Sequence, residues 1–250
     1  MPTHTSLADV VKRLARSVPF GNDAERCIAL HDFVRDEISF GFTSGFERVS
    51  PERTLELRRG HCNAQADLFR ALLEVAGIPA RLRFVGLDKQ VLRYAVPAPV
   101  YLLLPSALFH AVTEVQVDGK RTNTDSYIFQ PDMFRRQKER LEGSGLTAGF
   151  GLTAEATCQW DTTGDAFSQA HSRNIGESNP VYENLDAALK EKAGNNRLLG
   201  IHFNQWLGCI PGALQRTSEK YLNSKIDNQV KLHDRTAVAG PLHDPPQLKQ

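Results

Sequence analysis

Apolar positions in the first half of the chain recur with two different periods. Between about residues 6 and 17, Leu7, Val10, Val11 and Leu14 form one stripe, with Lys12, Arg13 and Arg16 off it, which predicts an amphipathic helix. Cys27, Leu30 and Val34 repeat that spacing from Asp23 to about Glu37, and Asn22 stands at the cap position. Ser50-Pro51-Glu52 joins a capping Ser to a Pro at the first helical position, so a short helix starts there and stops near Gly60. The next helix opens at about Cys62 and carries Ala66, Phe69, Leu72 and Leu73 along one side. Gly77 suits its left-handed cap, and Ile78-Pro79 prevents continuation.

Then the period drops to two. Leu82, Phe84 and Leu87 predict a strand, and His110 to Val117 alternates cleanly. Asp118-Gly119 is a two-residue hairpin signal, from which Lys120 to Tyr127 returns as the partner strand. Helices feeding a small antiparallel sheet define an α+β arrangement. Past residue 130 the pattern weakens. Residues 143–179 are rich in Gly, Ser and Thr around Trp160 and predict long loops; Asn179-Pro180 is expected to open a helix running to about Lys192. A further helical stretch is expected over residues 197–223, interrupted at Pro211-Gly212. Residues 1–130 thus read as a core, residues 131–230 as a helical and loop extension of the same domain, and residues 231–250 as a flexible tail.

Composition narrows the field. With 41% hydrophobic and 24% charged residues and a formal net charge of +1, the chain is an ordinary globular one, with no basic stripe suited to nucleic acid. No secretory apolar run and no membrane span is present. Cys27, Cys62, Cys158 and Cys209 lie far apart with no paired spacing, which argues against a disulfide framework or structural zinc and suits a cytoplasmic, reducing environment. No Gly-rich phosphate loop occurs, so no cofactor is expected.

Against that background Cys62 stands out. A nucleophilic cysteine needs its thiolate, which a helix N-terminus favours through free N–H groups and the helix dipole. Cys62 falls where a turn gives way to a helix, and Arg58, Arg59 and His61 are expected to add positive charge nearby. Cys27 and Cys209, on apolar stripes, suit the commoner fate of a small buried residue. The hairpin supplies the other two groups. With Val117 opposite Lys120, Val112 faces Asp125 and His110 faces Tyr127. His110, Asp125 and Tyr127 then share a face, and Asp125 is the diagonal neighbour of His110, within reach of its imidazole.

The run from Pro51 to Arg81, followed by FHAVTEVQVDGKRTNTDSY, resembles the core of the transglutaminase-like superfamily, over about residues 25–130. The shared features are Gly60-His61-Cys62 at a helix start, Gly77 to Arg81 after the helix, His110-Ala111 opening a strand and Asp125 on the next. The resemblance implies a papain-like fold with N-terminal helices on a small antiparallel sheet and a helical C-terminal extension. It implies Cys62, His110 and Asp125 as nucleophile, base and orienter of acyl transfer, acting on a peptide or a small amide or thioester with water or an amine as acceptor. Gln65, Asn63 and Trp160 are the candidates for a second oxyanion donor beside the Cys62 N–H, and Tyr127, Trp160 and Gln65 for contact with substrate. Arylamine N-acetyltransferase-like transfer, a non-catalytic binding protein on the same scaffold, and a metal site at His61, Cys62 and His110 are the competing readings.

Overall fold

The computed structural model describes residues 5–17, 21–43, 45–191, 197–198, 201–202, 220–221 and 223–224. Helices α1 (Leu7–Ser17) and α2 (Asp23–Glu37) form where the apolar stripes predict them, and the Asn22 side chain accepts a hydrogen bond from Glu25 N at the start of α2. Strand β1 (Ser39–Phe40) precedes α3 (Pro51–Leu57), which opens on the Ser50 cap and on Pro51 as expected. Strand β2 (Arg59–Gly60) pairs in parallel with β1 and leads directly into α4 (Cys62–Val75). A side chain at Gly60 would have its Cβ 3.0 Å from Thr54 Cγ2 and 3.3 Å from Ala64 Cβ. Any larger residue there would press on Thr54 and Ala64, which would have to give by a few tenths of an ångström.

Helix α4 is the centre of the molecule. Its pattern predicts a single apolar side, yet every residue from Asn63 to Leu73 is buried. The reason is tertiary: α1, α2 and α3 pack against it together with strands β3 (Ala80–Asp88) and β4 (Ala107–Val117). Two of its buried polar residues pair along the helix itself, Arg70 Nε donating to Asp67 Oδ1 at 2.7 Å. Gly77 takes the left-handed conformation (φ 79°) that ends the helical region. Phe69, Leu72, Leu82, Phe84, Ala111 and Val115 join one apolar core, each large side chain contributing about 1.5–3 kcal/mol of burial.

Strand β3 is antiparallel to β4, which pairs with β5 (Lys120–Thr124) across the Asp118-Gly119 turn in the expected register, Val117 opposite Lys120. Arg81 and Arg83 on β3 both bind the buried Glu114 carboxylate on β4. Burial alone would raise that carboxyl, but the two guanidinium groups outweigh it and hold it below its ordinary range. Between the two long strands, residues 89–106 carry α5 (Ala98–Leu103).

Beyond the core three expectations are corrected. The strand from Lys120 ends at Thr124, not Tyr127, because Asp125 N donates to Ala166 O and a turn closes from Ile128 N to Asp125 O. No helix opens at Asn179-Pro180. Pro180 O accepts from Phe84 N, and β8 (Val181–Tyr182) covers the free edge of β3; it follows α6 (Pro131–Ser144) and the short pair β6 (Ala148–Gly149) and β7 (Leu152–Thr153). The helix begins later as α7 (Leu185–Lys190), capped by Asn184 Oδ1 on Ala187 N at 2.8 Å. In the stretch expected to be helical from residue 197, β9 (Arg197–Leu198) and β10 (Ile201–His202) pair antiparallel instead. The rest of that stretch, apart from helical positions at 220–221 and 223–224, lies outside the described residues, as do Cys209 and the tail from residue 231. The mixed architecture with a small antiparallel sheet is the α+β class that the pattern predicts.

Candidate active site

Cys62 is the first residue of α4, with His61 as its N-cap. The first N–H groups of a helix have no partner within it, so the Cys62 sulfur stands at the positive end of a fourteen-residue helix. Asn63 sets the depth of that helix end against the sheet. Strand β5 pairs with β4 only from Thr113 to Val117, which leaves the neighbouring stretch of β4 without a strand partner on that side. The Asn63 amide fills the gap: its Oδ1 accepts from Ala111 N at 2.9 Å and its Nδ2 donates to Phe109 O at 3.3 Å. The same Nδ2 donates to Glu47 Oε1 at 3.1 Å. His110 lies between those two backbone contacts, so one side chain aligns the cysteine helix with the histidine strand.

Asn63→Ala would take from the buried Ala111 N–H its side-chain acceptor, at a cost of about 1–3 kcal/mol, and remove the tie to Phe109 O. A fall in the thermal midpoint of that order is expected. Asn63→Asp should fall further, because it sets a carboxylate beside Glu47 and the Phe109 carbonyl. Native-like melting of both variants would show that Asn63 does not join the two elements.

His110 and Asp125 meet as the hairpin register requires. His110 Nε2 lies 2.7 Å from Asp125 Oδ2, with both side chains almost fully buried. The His110 Nδ1 has no other hydrogen-bond partner and is the nitrogen left to serve Cys62, whose charge and hydrogen bond act on the ring. Burial pushes the imidazole down, but the Cys62 and Asp125 charges and hydrogen bonds outweigh it and raise its pKa to about 10. Asp125 in turn is gripped by a loop whose role the sequence does not reveal. Ser168 N donates to Oδ1 at 2.5 Å, Ala170 N to Oδ2 at 2.8 Å, and Gln169 N to both oxygens at 3.3 Å. Three successive N–H groups form a nest that fixes the carboxylate in place. No side-chain signature marks such a loop, since backbone groups do the binding.

Burial redirects several of the other residues singled out by the sequence. His61 does not add charge: it is 3% exposed, stacks on Phe46 at 4.5 Å, and burial followed by the charge of His110 drives its pKa to about 3. Arg58 pairs with Glu37 Oε2 at 2.8 Å. Gln65 is fully buried in the helix interior, its Nε2 donating to the carbonyls of Ile38 and Ile128. Tyr127 lies in the core with its hydroxyl 2.8 Å from Thr113 Oγ1, because the strand alternation that would have turned it toward His110 ends at Thr124. Trp160 is 5% exposed, donates to Gly164 O and packs against Phe69 and His31. It lines a cleft of about 690 Å³ with Asp32, Arg35 and Asp165, whose lining does not include Cys62. Gln65 and Tyr127 are thus core residues, and Trp160 joins the core to the wall of this cleft. His31 on α2 is wholly buried.

The structure thus sets a cysteine at a helix start close to a histidine that a carboxylate holds on an antiparallel sheet. Residues 12–124 match the core model of the transglutaminase-like superfamily, so the resemblance carried by Cys62, His110 and the flanking motifs is borne out at that level. Asp125 lies one residue past the matched segment. None of the curated proteins matches the chain. Among solved structures, a provisionally assigned cysteine protease from Cytophaga hutchinsonii is similar over 49% of this chain and 38% of its own, with 22% identity and a TM-score of 0.36. A provisionally assigned protease from Parabacteroides distasonis is similar over 47% of this chain and 22% of its own, with 15% identity and a TM-score of 0.33. The chain thus spans well under half the length of either. No helix among the described residues is long and apolar enough to cross a membrane.

Proposed function

We propose that this chain is a thiol acyl-transfer enzyme in which Cys62 is the nucleophile, His110 the general base and acid, and Asp125 the residue that orients His110. The observation that carries this reading is the His110–Asp125 contact of 2.7 Å, with the second ring nitrogen left to the thiol of Cys62. The Cys62 sulfur attacks the carbonyl of an amide or thioester. His110, protonated by the thiol, returns that proton to the departing amine or thiolate. The Cys62 backbone N–H at the helix start supplies a donor for the developing oxyanion. The thioester then passes its acyl group to water or to an amine, for which His110 acts as base. Both outcomes use the same three residues, so the acceptor is decided by what the surrounding pocket admits. Acyl transfer to an arylamine is one case of the same chemistry.

The test is single-turnover acylation by p-nitrophenyl acetate, a generic activated acyl donor. One acetyl group per chain, mapped by mass spectrometry to Cys62, is expected, with no acetylation of Cys62→Ala. Release of the acetyl group would then be followed with and without n-butylamine; faster release as N-butylacetamide identifies a transferase, and indifference to the amine a hydrolase. A chain that never acetylates Cys62 is not an acyl-transfer enzyme, and its fold would then serve binding.

A further inference from the structure

Outside the Cys62 site, the wholly buried His31 on α2 has both ring nitrogens bonded. Its Nδ1 lies 2.9 Å from Asp32 Oδ1 and its Nε2 2.8 Å from Ser126 Oγ. Because a carboxylate only accepts, the Nδ1 carries the proton, and Nε2 is left to accept from the Ser126 hydroxyl. The Thr124 hydroxyl then donates to Ser126 Oγ at 2.9 Å, while Ser126 N donates to Thr124 Oγ1 at 3.3 Å. Thr124 and Ser126 are the two neighbours of Asp125, and both are fully buried. The ring itself is caged by Phe69, Tyr127 and Trp160, with centroids 5.9–6.1 Å away.

Cage packing alone would suit a phenylalanine or leucine. Burying two imidazole nitrogens costs free energy unless both are bonded, and one of the two bonds reaches across the fold to the turn that carries Asp125. The nest at residues 168–170 grips the Asp125 carboxylate and, through Ser168 Oγ, its backbone carbonyl at 2.9 Å, whereas the neighbouring Thr124 and Ser126 hydroxyls are tied to each other and to His31. We propose that His31 is a positioning residue for the His110–Asp125 pair, bracing the turn at residues 124–126 through the Ser126 hydroxyl. The proposal rests on the reading of Asp125 as the group that orients His110. His31 is neutral in this role: burial lowers its pKa, although the hydrogen bond and charge of Asp32 oppose that, with Arg35 and Asp36 the other charged groups that act on it. Tyr127 is the titratable group facing it from the turn.

Three variants separate bracing from packing. His31→Phe keeps the aromatic cage and removes both hydrogen bonds. Ser126→Ala removes the brace without touching the cage. His31→Gln keeps an amide that can accept from Ser126. The readouts are the NMR titration of the His110 ring, taken well below each unfolding midpoint, and the single-turnover rate of Cys62 acetylation by p-nitrophenyl acetate. In His31→Phe and Ser126→Ala the His110 midpoint is expected to fall by about one pH unit, as the carboxylate loses its alignment with the ring. The acetylation rate should fall about tenfold, with His31→Gln recovering most of both. Folded His31→Phe and Ser126→Ala proteins with native His110 titration and native acetylation would overturn the proposal. If His31→Phe does not fold, Ser126→Ala decides alone. If native Cys62 is never acetylated, the acyl-transfer reading fails, while the titration still decides whether His31 braces Asp125.

Discussion

Low-dose iodoacetamide at neutral pH is expected to alkylate Cys62 well ahead of Cys27 and Cys158, and His110→Ala is expected to slow that reaction by about 10²-fold. The magnitude is the lower end of what a positioned base contributes. The contrast among the thiols follows from their surroundings. Burial, with Asp23 and Asp118 adding to it, pushes the Cys27 thiol up to about 12, and burial also raises Cys158. Cys62 instead stands at a helix N-terminus facing an imidazole that can carry a proton. His110 is raised from 6.5 to about 10, so the stability its protonated form contributes is complete below about pH 6.5 and is lost as pH climbs through about 10. Removing the Cys62 side chain with Cys62→Ala should lower the His110 midpoint, since Cys62 acts upward on the ring while burial, the largest influence, acts downward. NMR titration of His110 in native and Cys62→Ala protein measures this directly. A midpoint unchanged by the substitution, with Cys62 no more reactive than Cys27, would mean that the two side chains do not interact.

Asp125→Ala should be the most damaging single change to both stability and chemistry. It strips the partner from three consecutive buried N–H groups at residues 168–170 and from His110 Nε2. Orphaned buried donors at about 1–3 kcal/mol each give an expected destabilisation of about 3–5 kcal/mol, read as a lowered midpoint in denaturant unfolding. Asp125→Asn is the sharper probe, because it preserves shape. One side of its amide is an N–H₂ group, which must face either the N–H donors of the nest or His110. In the second orientation Nε2 becomes an acceptor, the proton moves to Nδ1, and the nitrogen facing Cys62 can no longer receive the thiol proton. Acetylation of Cys62 is expected to fall by about 10²- to 10⁴-fold. Native rates in a folded Asp125→Asn protein would remove Asp125 from the mechanism.

Much of this site is legible in the amino-acid sequence, for reasons tied to local physics. The Ser50-Pro51 start, the Gly77 stop and the Asp118-Gly119 turn each restrict backbone angles within a few residues, so they mark their elements without help from the rest of the chain. Because the turn also sets the register of β4 against β5, it places His110 beside Asp125, and the 2.7 Å contact agrees. Extending the same alternation two residues further misplaces Tyr127, since the ladder ends where Ala166 takes over the hydrogen bond of Asp125 N. The charge expected of His61 fails for a related reason. Sequence shows a titratable side chain beside Cys62, but burial against Phe46 decides that it stays neutral.

The sequence by itself therefore determined the first four helices, the hairpin, and the identity and order of Cys62, His110 and Asp125, because caps, tight turns and period are properties of neighbouring residues. Only the tertiary structure decided what holds those residues in place. Asn63 replaces a missing strand along β4, the backbone of residues 168–170 cradles Asp125 from more than forty positions away, and His31 reaches Ser126 from the second helix. Those contacts join segments distant in the chain through backbone groups and common polar side chains. They leave no period and no motif, and they come into being only when burial forces each polar group to find a partner.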